Sequence, residues 1–285
     1  MMRAYTEELM VQFGLTFGTM VVRIWQPEQS RGTVFCIHGF TGNGSDFEYL
    51  AEILARNQFT VICPDLVGRG KSSYFGDAKM YGPETYFRCI HALAKYADQE
   101  SYFIGTSWGG VLMLLYLHRM HIRPTKLLFN DVCLKATAAL DKTRHDVFKD
   151  SEAEFDTLEE AGAYIRTTRG FLGKIPEALW QRYVDNKVIV KNGKYRLAYD
   201  PATTGNFNAM MGRDFDFFPL LPKLHAPTLL LYGAASPFYD EPSVQETAAQ
   251  FPQLSFVADL NAGHPPSLMT FDQAMLVLGF LTSQS

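Results

Sequence analysis

Four short apolar runs, at 34–37, 59–63, 102–104 and 126–129, alternate with helix-length amphipathic segments near 47–57, 83–99 and 109–121. Strand-sized runs that are apolar on both faces, each separated from the next by a helix, are the signature of βαβ units. A parallel sheet covered by helices on both faces follows. The pattern resumes late in the chain, with apolar runs at 228–232 and 254–257 and helices near 243–250 and 267–282. Before it, residues 9–25 alternate apolar and polar positions around Gly14 and Gly18, which predicts an opening β-hairpin.

Residues 132–213 break this rhythm. Of these 82 positions 24 are charged, against 32 of the other 203. A segment nearly twice as charged as the rest is more exposed. It reads as a largely helical insertion, with helices near 157–169 and 176–186 and a hairpin at 188–199 turning on Asn192-Gly193. The expected organisation is one α/β core, residues 1–131 and 214–285, interrupted by a lid, residues 132–213.

Composition narrows the class of function. At 47% hydrophobic residues the chain can bury a large core, and a net charge of −4 lacks the basic surplus of a nucleic-acid or anionic-membrane binder. No apolar stretch approaches the roughly 20 residues a bilayer requires. The acidic start, with Glu7 and Glu8, has no secretory pattern, and Cys36, Cys63, Cys89 and Cys133 stand singly in the sequence. The expectation is a cytoplasmic protein with reduced thiols, a monomer or homodimer that acts on a small molecule.

Three motifs carry chemistry. Gly105-Thr106-Ser107-Trp108-Gly109 lies between a strand and a helix. A serine on such a sharp turn takes a strained backbone and is lifted above the sheet beside a helix N-terminus, while small neighbours let the turn close. His38-Gly39-Phe40-Thr41-Gly42 follows the first parallel strand. The amides of Phe40 and Trp108 are candidates for the two donors that an oxyanion hole requires. Gly263-His264 follows the last strand and offers an imidazole that could take the serine proton. His118 and His121 share a helix face without a third metal ligand in view, so neither a metal nor a cofactor is expected. The run Asp65-Leu66-Val67-Gly68-Arg69-Gly70-Lys71-Ser72 ends like a phosphate-binding loop, but Asp65 stands where that loop requires glycine.

With these motifs in this order the chain resembles the α/β-hydrolase superfamily over nearly its whole length, within it a lidded, serine esterase-like branch. The Asp65–Ser72 run is similar to the D-x-x-G-x-G-x-S loop of that superfamily. The Gly263-His264-Pro265-Pro266-Ser267-Leu268-Met269 run is similar to a bacterial esterase branch. The resemblance implies an eight-stranded, mostly parallel sheet with a helical lid after the sixth strand. It also implies a Ser…Asp/Glu…His triad.

One element departs from the family pattern. The acid usually follows the glycine that ends the seventh strand, here Gly233, by three or four residues, and those places hold Ser236 and Pro237. Two carboxylates could substitute. Asp131 ends the sixth strand, 24 residues after Ser107, where some members, haloalkane dehalogenases among them, carry their acid. Asp240 lies a few residues beyond the usual place. The expected activity is ester hydrolysis of a small, fairly apolar acyl substrate. The alternatives are C–C bond hydrolysis, perhydrolysis, or ligand binding on a degraded triad. Aromatic residues Phe155, Tyr164, Phe171, Trp180 and Tyr183 are expected on inner faces of the lid.

Overall fold

The structure, a computed structural model, describes residues 2–136, 150–173, 175–205 and 214–283. Its main sheet has eight strands: β1 (Arg3–Phe13), β2 (Thr16–Gln26), β3 (Thr33–Ile37), β4 (Thr60–Pro64), β5 (Ser101–Thr106), β6 (Lys126–Asn130), β7 (Thr228–Gly233) and β8 (Leu254–Asp259). Their order across the sheet is β1-β2-β4-β3-β5-β6-β7-β8. The β1–β2 and β2–β4 pairs are antiparallel, and every other neighbour is parallel. The expected α/β-hydrolase fold, a mostly parallel eight-stranded sheet flanked by helices, is therefore what the chain adopts.

Every residue of β3 and β6 is buried, because helices cover both faces. One core includes Phe35, Ile37, Phe103, Leu127 and Phe129 on one face; a second includes Val34, Cys36, Ile104 and Leu128 on the other. By contrast β1 is an edge strand, and only Leu9, Val11 and Phe13 of it are buried, at alternate positions.

The helices in chain order are α1 (Glu48–Arg56), α2 (Pro83–Ala92), α3 (Trp108–Arg119), α4 (Leu158–Thr168), α5 (Glu177–Lys187), α6 (Glu241–Gln250) and α7 (Phe271–Thr282). The end of α7 is held by a buried cation. Lys126 Nζ, 3% exposed, donates to the Phe280 carbonyl at 2.8 Å, to Ser283 Oγ at 2.8 Å and to the Ser283 carbonyl. A helix C-terminus carries unpaired carbonyls and partial negative charge, so an ammonium there satisfies both. Lys126→Met is expected to lower unfolding free energy by about 1–3 kcal/mol in urea titration, the scale for orphaning buried acceptors.

Between β6 and β7 the chain is less helical than its charge suggests. The hairpin at Asn192-Gly193 forms, with both residues at positive φ (+53° and +76°) as a tight hairpin turn requires. Its strands, Val188–Lys191 and Lys194–Leu197, join Glu154–Phe155 in a three-stranded sheet. The periodicity of a two-residue strand is too short to be seen in sequence. Trp180 is buried, Phe155 packs on Tyr164 at 5.1 Å and Trp180 stacks on Tyr183 at 5.4 Å, so these rings fill the segment's own interior. Phe171 departs from the expectation: it is 42% exposed, at a tight turn rather than on a packed helix face. Of the expected lid range, residues 137–149, 174 and 206–213 lie outside the described residues.

This segment is tied to the core. Lys187 of α5 pairs with Asp46, Arg182 with Glu48 at 2.6 Å, and Asn43 Nδ2 donates to the Asn186 carbonyl at 2.8 Å. Asp200 accepts from Tyr81 Oη and, at 2.7 Å, from the Gly76 amide.

Candidate active site

The chain steps from β3 to β4 in one direction across the sheet and from β4 back past β3 to β5 in the other, which makes the carboxyl ends of β3 and β5 a topological switch point. Register places Ile37 beside Gly105 and Thr106 beside Asn130. Consequently the loops after β3, β5 and β6 emerge side by side, with the loop after β7 next to them.

Ser107 occupies the turn from β5 into α3 with φ +49° and ψ −124°, a conformation costly for any residue with a Cβ. Its backbone is held there from three sides: Ser107 N–H donates to the Asn130 carbonyl, and the Ser107 carbonyl accepts from Gly110 and Val111. The turn closes because its glycines are compressed. A Cβ on Gly105 would lie 2.4 Å from Gly110 Cα, and one on Gly109 would lie 2.2 Å from the His38 carbonyl oxygen. The same contacts press the loop after β3 against the serine, and a Cβ on Gly39 would come 3.7 Å from Ser107 Cβ. Phe40 and Trp108, both almost fully buried, meet edge to face at 5.5 Å. Trp108 is the first residue of α3, where helix N–H groups lack intrahelical acceptors.

His264 Nε2 lies 2.9 Å from Ser107 Oγ. On its other side, His264 Nδ1 is buried without a partner at hydrogen-bond geometry, and Asp131 Oδ2 faces it at 3.5 Å. A carboxylate there favours the proton on Nδ1, leaving the Nε2 lone pair to accept from the serine hydroxyl. The 3.5 Å separation is long for a hydrogen bond, as is common before substrate closes a site. An imidazole placed between a hydroxyl and a carboxylate in this way can deprotonate the hydroxyl, and the carboxylate stabilises the imidazolium that results.

Asp131 is completely buried and itself pinned. Its Oδ1 accepts from Ser236 Oγ at 2.8 Å, and its Oδ2 accepts from the Gly233 amide at 3.2 Å. Ser236 thus stands in the place where the family pattern sets the acid, and its hydroxyl holds the carboxylate offered by the neighbouring strand. Asp240 does something different. It is exposed, caps α6 by accepting from the Ser243 amide at 2.8 Å, and has its carboxyl pKa lowered chiefly by the Ser243 hydrogen bonds.

The histidine loop is held by groups whose importance sequence reasoning missed. Asn130 Nδ2 donates to the Pro266 carbonyl at 2.9 Å, and the Gly263 amide donates to Phe171 at 2.7 Å. Gly233 lets the loop come close, since a Cβ there would fall 2.0 Å from the Gly263 carbonyl oxygen. Phe238 packs edge to face on the imidazole at 4.5 Å. Of these only the two glycines, each next to a strand end or the histidine, leave a sequence signal.

His38 has a supporting part. It is fully buried; Nε2 accepts from the Leu66 amide at 3.0 Å, so the proton sits on Nδ1 and is donated to the Gly39 carbonyl at 2.8 Å. Burial, above all, holds its pKa well below the ordinary histidine value. The unfolded chain therefore binds a proton below about pH 6.5 that the folded chain refuses. Stability is full above that value and falls as pH drops, by up to about 1.4 kcal/mol per unit from this group. In denaturant titrations at pH 7, 6 and 5, His38→Gln is expected to lessen that slope.

The loop from Asp65 to Ser72 is closed by its own carboxylate. Asp65 accepts from Arg23, from the Gly44 amide at 2.8 Å and from the Lys71 amide at 2.9 Å, and Ser72 Oγ donates back to the Asp65 carbonyl.

Comparison with known proteins identifies the family. A family model described as the alpha/beta hydrolase fold covers residues 32–268. The chain belongs to the α/β-hydrolase family. It is 28% identical over 278 residues to a 3-hydroxybutyrate-oligomer hydrolase of Cupriavidus necator, covering 92% of each chain. Identity to a proline iminopeptidase of Lactobacillus helveticus is 24% over 225 residues, covering 74% of this chain and 76% of that one. Among solved structures, an α/β hydrolase from Novosphingobium aromaticivorans aligns with TM-score 0.83 and 27% identity over 98% of both chains. This α/β-hydrolase family member is a hydrolytic enzyme. Among the described residues no helix is long and apolar enough to cross a membrane, and no cluster of three or more metal-ligating side chains occurs.

Proposed function

We propose that this α/β hydrolase is a carboxylesterase-like serine hydrolase of small, fairly apolar esters. Ser107 is the nucleophile, His264 the general base and acid, and Asp131 the acid that orients His264. Asp131 takes precedence over Asp240, which is engaged as a helix cap. The amides of Phe40 and Trp108 form the oxyanion hole, and residues 132–213 form the lid. The observation that carries this reading is the 2.9 Å contact between Ser107 Oγ and His264 Nε2, with the Asp131 carboxylate on the far side of the ring.

In the acylation step Ser107 Oγ attacks the ester carbonyl while His264 Nε2 takes its proton. The carbonyl oxygen becomes an oxyanion facing the two amides. When the tetrahedral intermediate collapses, the alkoxide leaves and receives the proton from His264. Water then attacks the acyl-serine by the same route, releasing the acid and restoring Ser107. The likeness to an enzyme named for 3-hydroxybutyrate oligomers adds short hydroxy-acid esters as the first natural substrates to try.

The test is stopped-flow hydrolysis of p-nitrophenyl butyrate, beside a 3-hydroxybutyrate dimer at steady state. The expected result is turnover of the aryl ester with a pre-steady-state burst of nitrophenol approaching one equivalent, as an accumulating acyl-enzyme produces. Absence of ester turnover by folded protein would contradict the proposal.

A further inference from the structure

The Asp65–Ser72 loop places Arg69 in a position that stability alone does not explain. Its side chain is completely buried, and among the described residues it forms no ion pair. The nearby Asp65 is occupied by Arg23 and two backbone amides. Arg69 Nε donates to the Phe40 carbonyl at 2.6 Å, and Nη1 donates to Tyr86 Oη at 3.2 Å and weakly to the Val67 carbonyl at 3.4 Å. Nη2 is buried with no hydrogen-bond partner. Around the guanidinium stand three rings: Phe40 at 4.7 Å, Trp108 at 5.5 Å and Tyr86 at 5.7 Å from its central carbon.

A buried cation without a counter-ion is destabilising, and the electron-rich faces of the rings offset only part of that cost. A methionine or leucine would fill the same space more cheaply. Yet the two rings closest to the cation belong to Phe40 and Trp108, the residues whose amides form the proposed oxyanion hole. We infer that Arg69 is a positioning residue of that hole. Its bond to the Phe40 carbonyl fixes the Phe40 backbone, and its charge lies against the rings of both residues in a buried region of low dielectric.

This inference rests on the serine-hydrolase reading above. In the resting enzyme no carboxylate among the described residues forms an ion pair with Arg69. In the tetrahedral state an oxyanion develops at the two amides, and its attraction to the Arg69 charge is then realised. An interaction present only in the transition state raises kcat and leaves substrate binding nearly unchanged.

The experiment compares Arg69→Met and Arg69→Lys with the parent enzyme on p-nitrophenyl butyrate, with a trifluoromethyl ketone as a mimic of the tetrahedral adduct. Arg69→Met is expected to lose about tenfold in kcat with KM within about twofold. That loss is smaller than the roughly 10²–10³ seen on deleting a direct oxyanion donor, because Arg69 acts through the residues that carry the amides and not by a bond of its own. Ketone affinity should fall by the same factor, and Arg69→Lys should recover most of both. Thermal melting of each variant is followed alongside, so that the kinetic comparison is made on folded protein. If Arg69→Met does not fold, Arg69→Gln replaces it, keeping a donor for the Phe40 carbonyl without the charge, and the same direction is expected. A folded neutral variant with kcat within twofold of the parent, or one that loses activity with unchanged ketone affinity, would overturn the inference. A parent enzyme that neither turns over ester nor binds the ketone would instead remove the active-site reading itself.

Discussion

Ser107→Ala is expected to lower kcat for p-nitrophenyl butyrate by about 10⁴–10⁶, the range that follows loss of a nucleophile acting as one unit with its base. The size of the effect comes from the chemistry the alanine removes. Without Oγ there is no acyl-enzyme, and only direct attack by water beside the remaining oxyanion donors is left. The substitution is gentle on the fold. Ser107 is held through backbone bonds to Asn130, Gly110 and Val111, all of which alanine keeps. Thermal melting should therefore change little, so lost turnover would report chemistry rather than unfolding. A variant with more than a tenth of parental kcat would exclude Ser107 as the nucleophile.

The second large effect is expected from Asp131→Asn, about 10⁴ in kcat. The amide preserves shape but loses the charge that stabilises the imidazolium, and an NH₂ group turned to the ring donates to Nδ1 and drives the ring proton to Nε2, the wrong tautomer for accepting from Ser107. Asp240→Asn, by contrast, should leave kcat within about twofold, because Asp240 is an exposed helix cap whose carboxylate faces the Ser243 amide. Steady-state kinetics of the two variants side by side assign the acid. Near-parental turnover by Asp131→Asn, or a collapse in Asp240→Asn, would reverse the assignment.

What the chain reveals of itself before folding follows the range of the interactions involved. The turn that carries Ser107 is legible because its demands are local. A strained backbone between strand and helix needs small residues at fixed offsets, and Gly105 and Gly109 satisfy close approaches of 2.4 and 2.2 Å. The parallel strands are legible because burial on both faces leaves continuous apolar runs such as Leu127–Phe129. The proposed acid is legible only as a choice between Asp131 and Asp240, because the group that holds Asp131 lies beyond another strand. Ser236 in sequence is merely a missing carboxylate, and only the adjacency of β6 and β7 turns it into the group that holds Asp131. The same holds for Arg69, whose surroundings come from three separated segments of the chain. Charge density marks residues 132–213 as unlike the core but does not disclose the small sheet around the Asn192-Gly193 hairpin, whose third strand spans two residues.

The central claim is that one serine, activated by His264, performs the chemistry. It is tested most directly by mass spectrometry of the folded protein after exposure to a fluorophosphonate, followed by peptide mapping. The expected result is one phosphonyl group per chain, on Ser107, with labelling abolished in Ser107→Ala and strongly slowed in His264→Ala. Folded protein that stays unlabelled, or label carried by another residue, would contradict it.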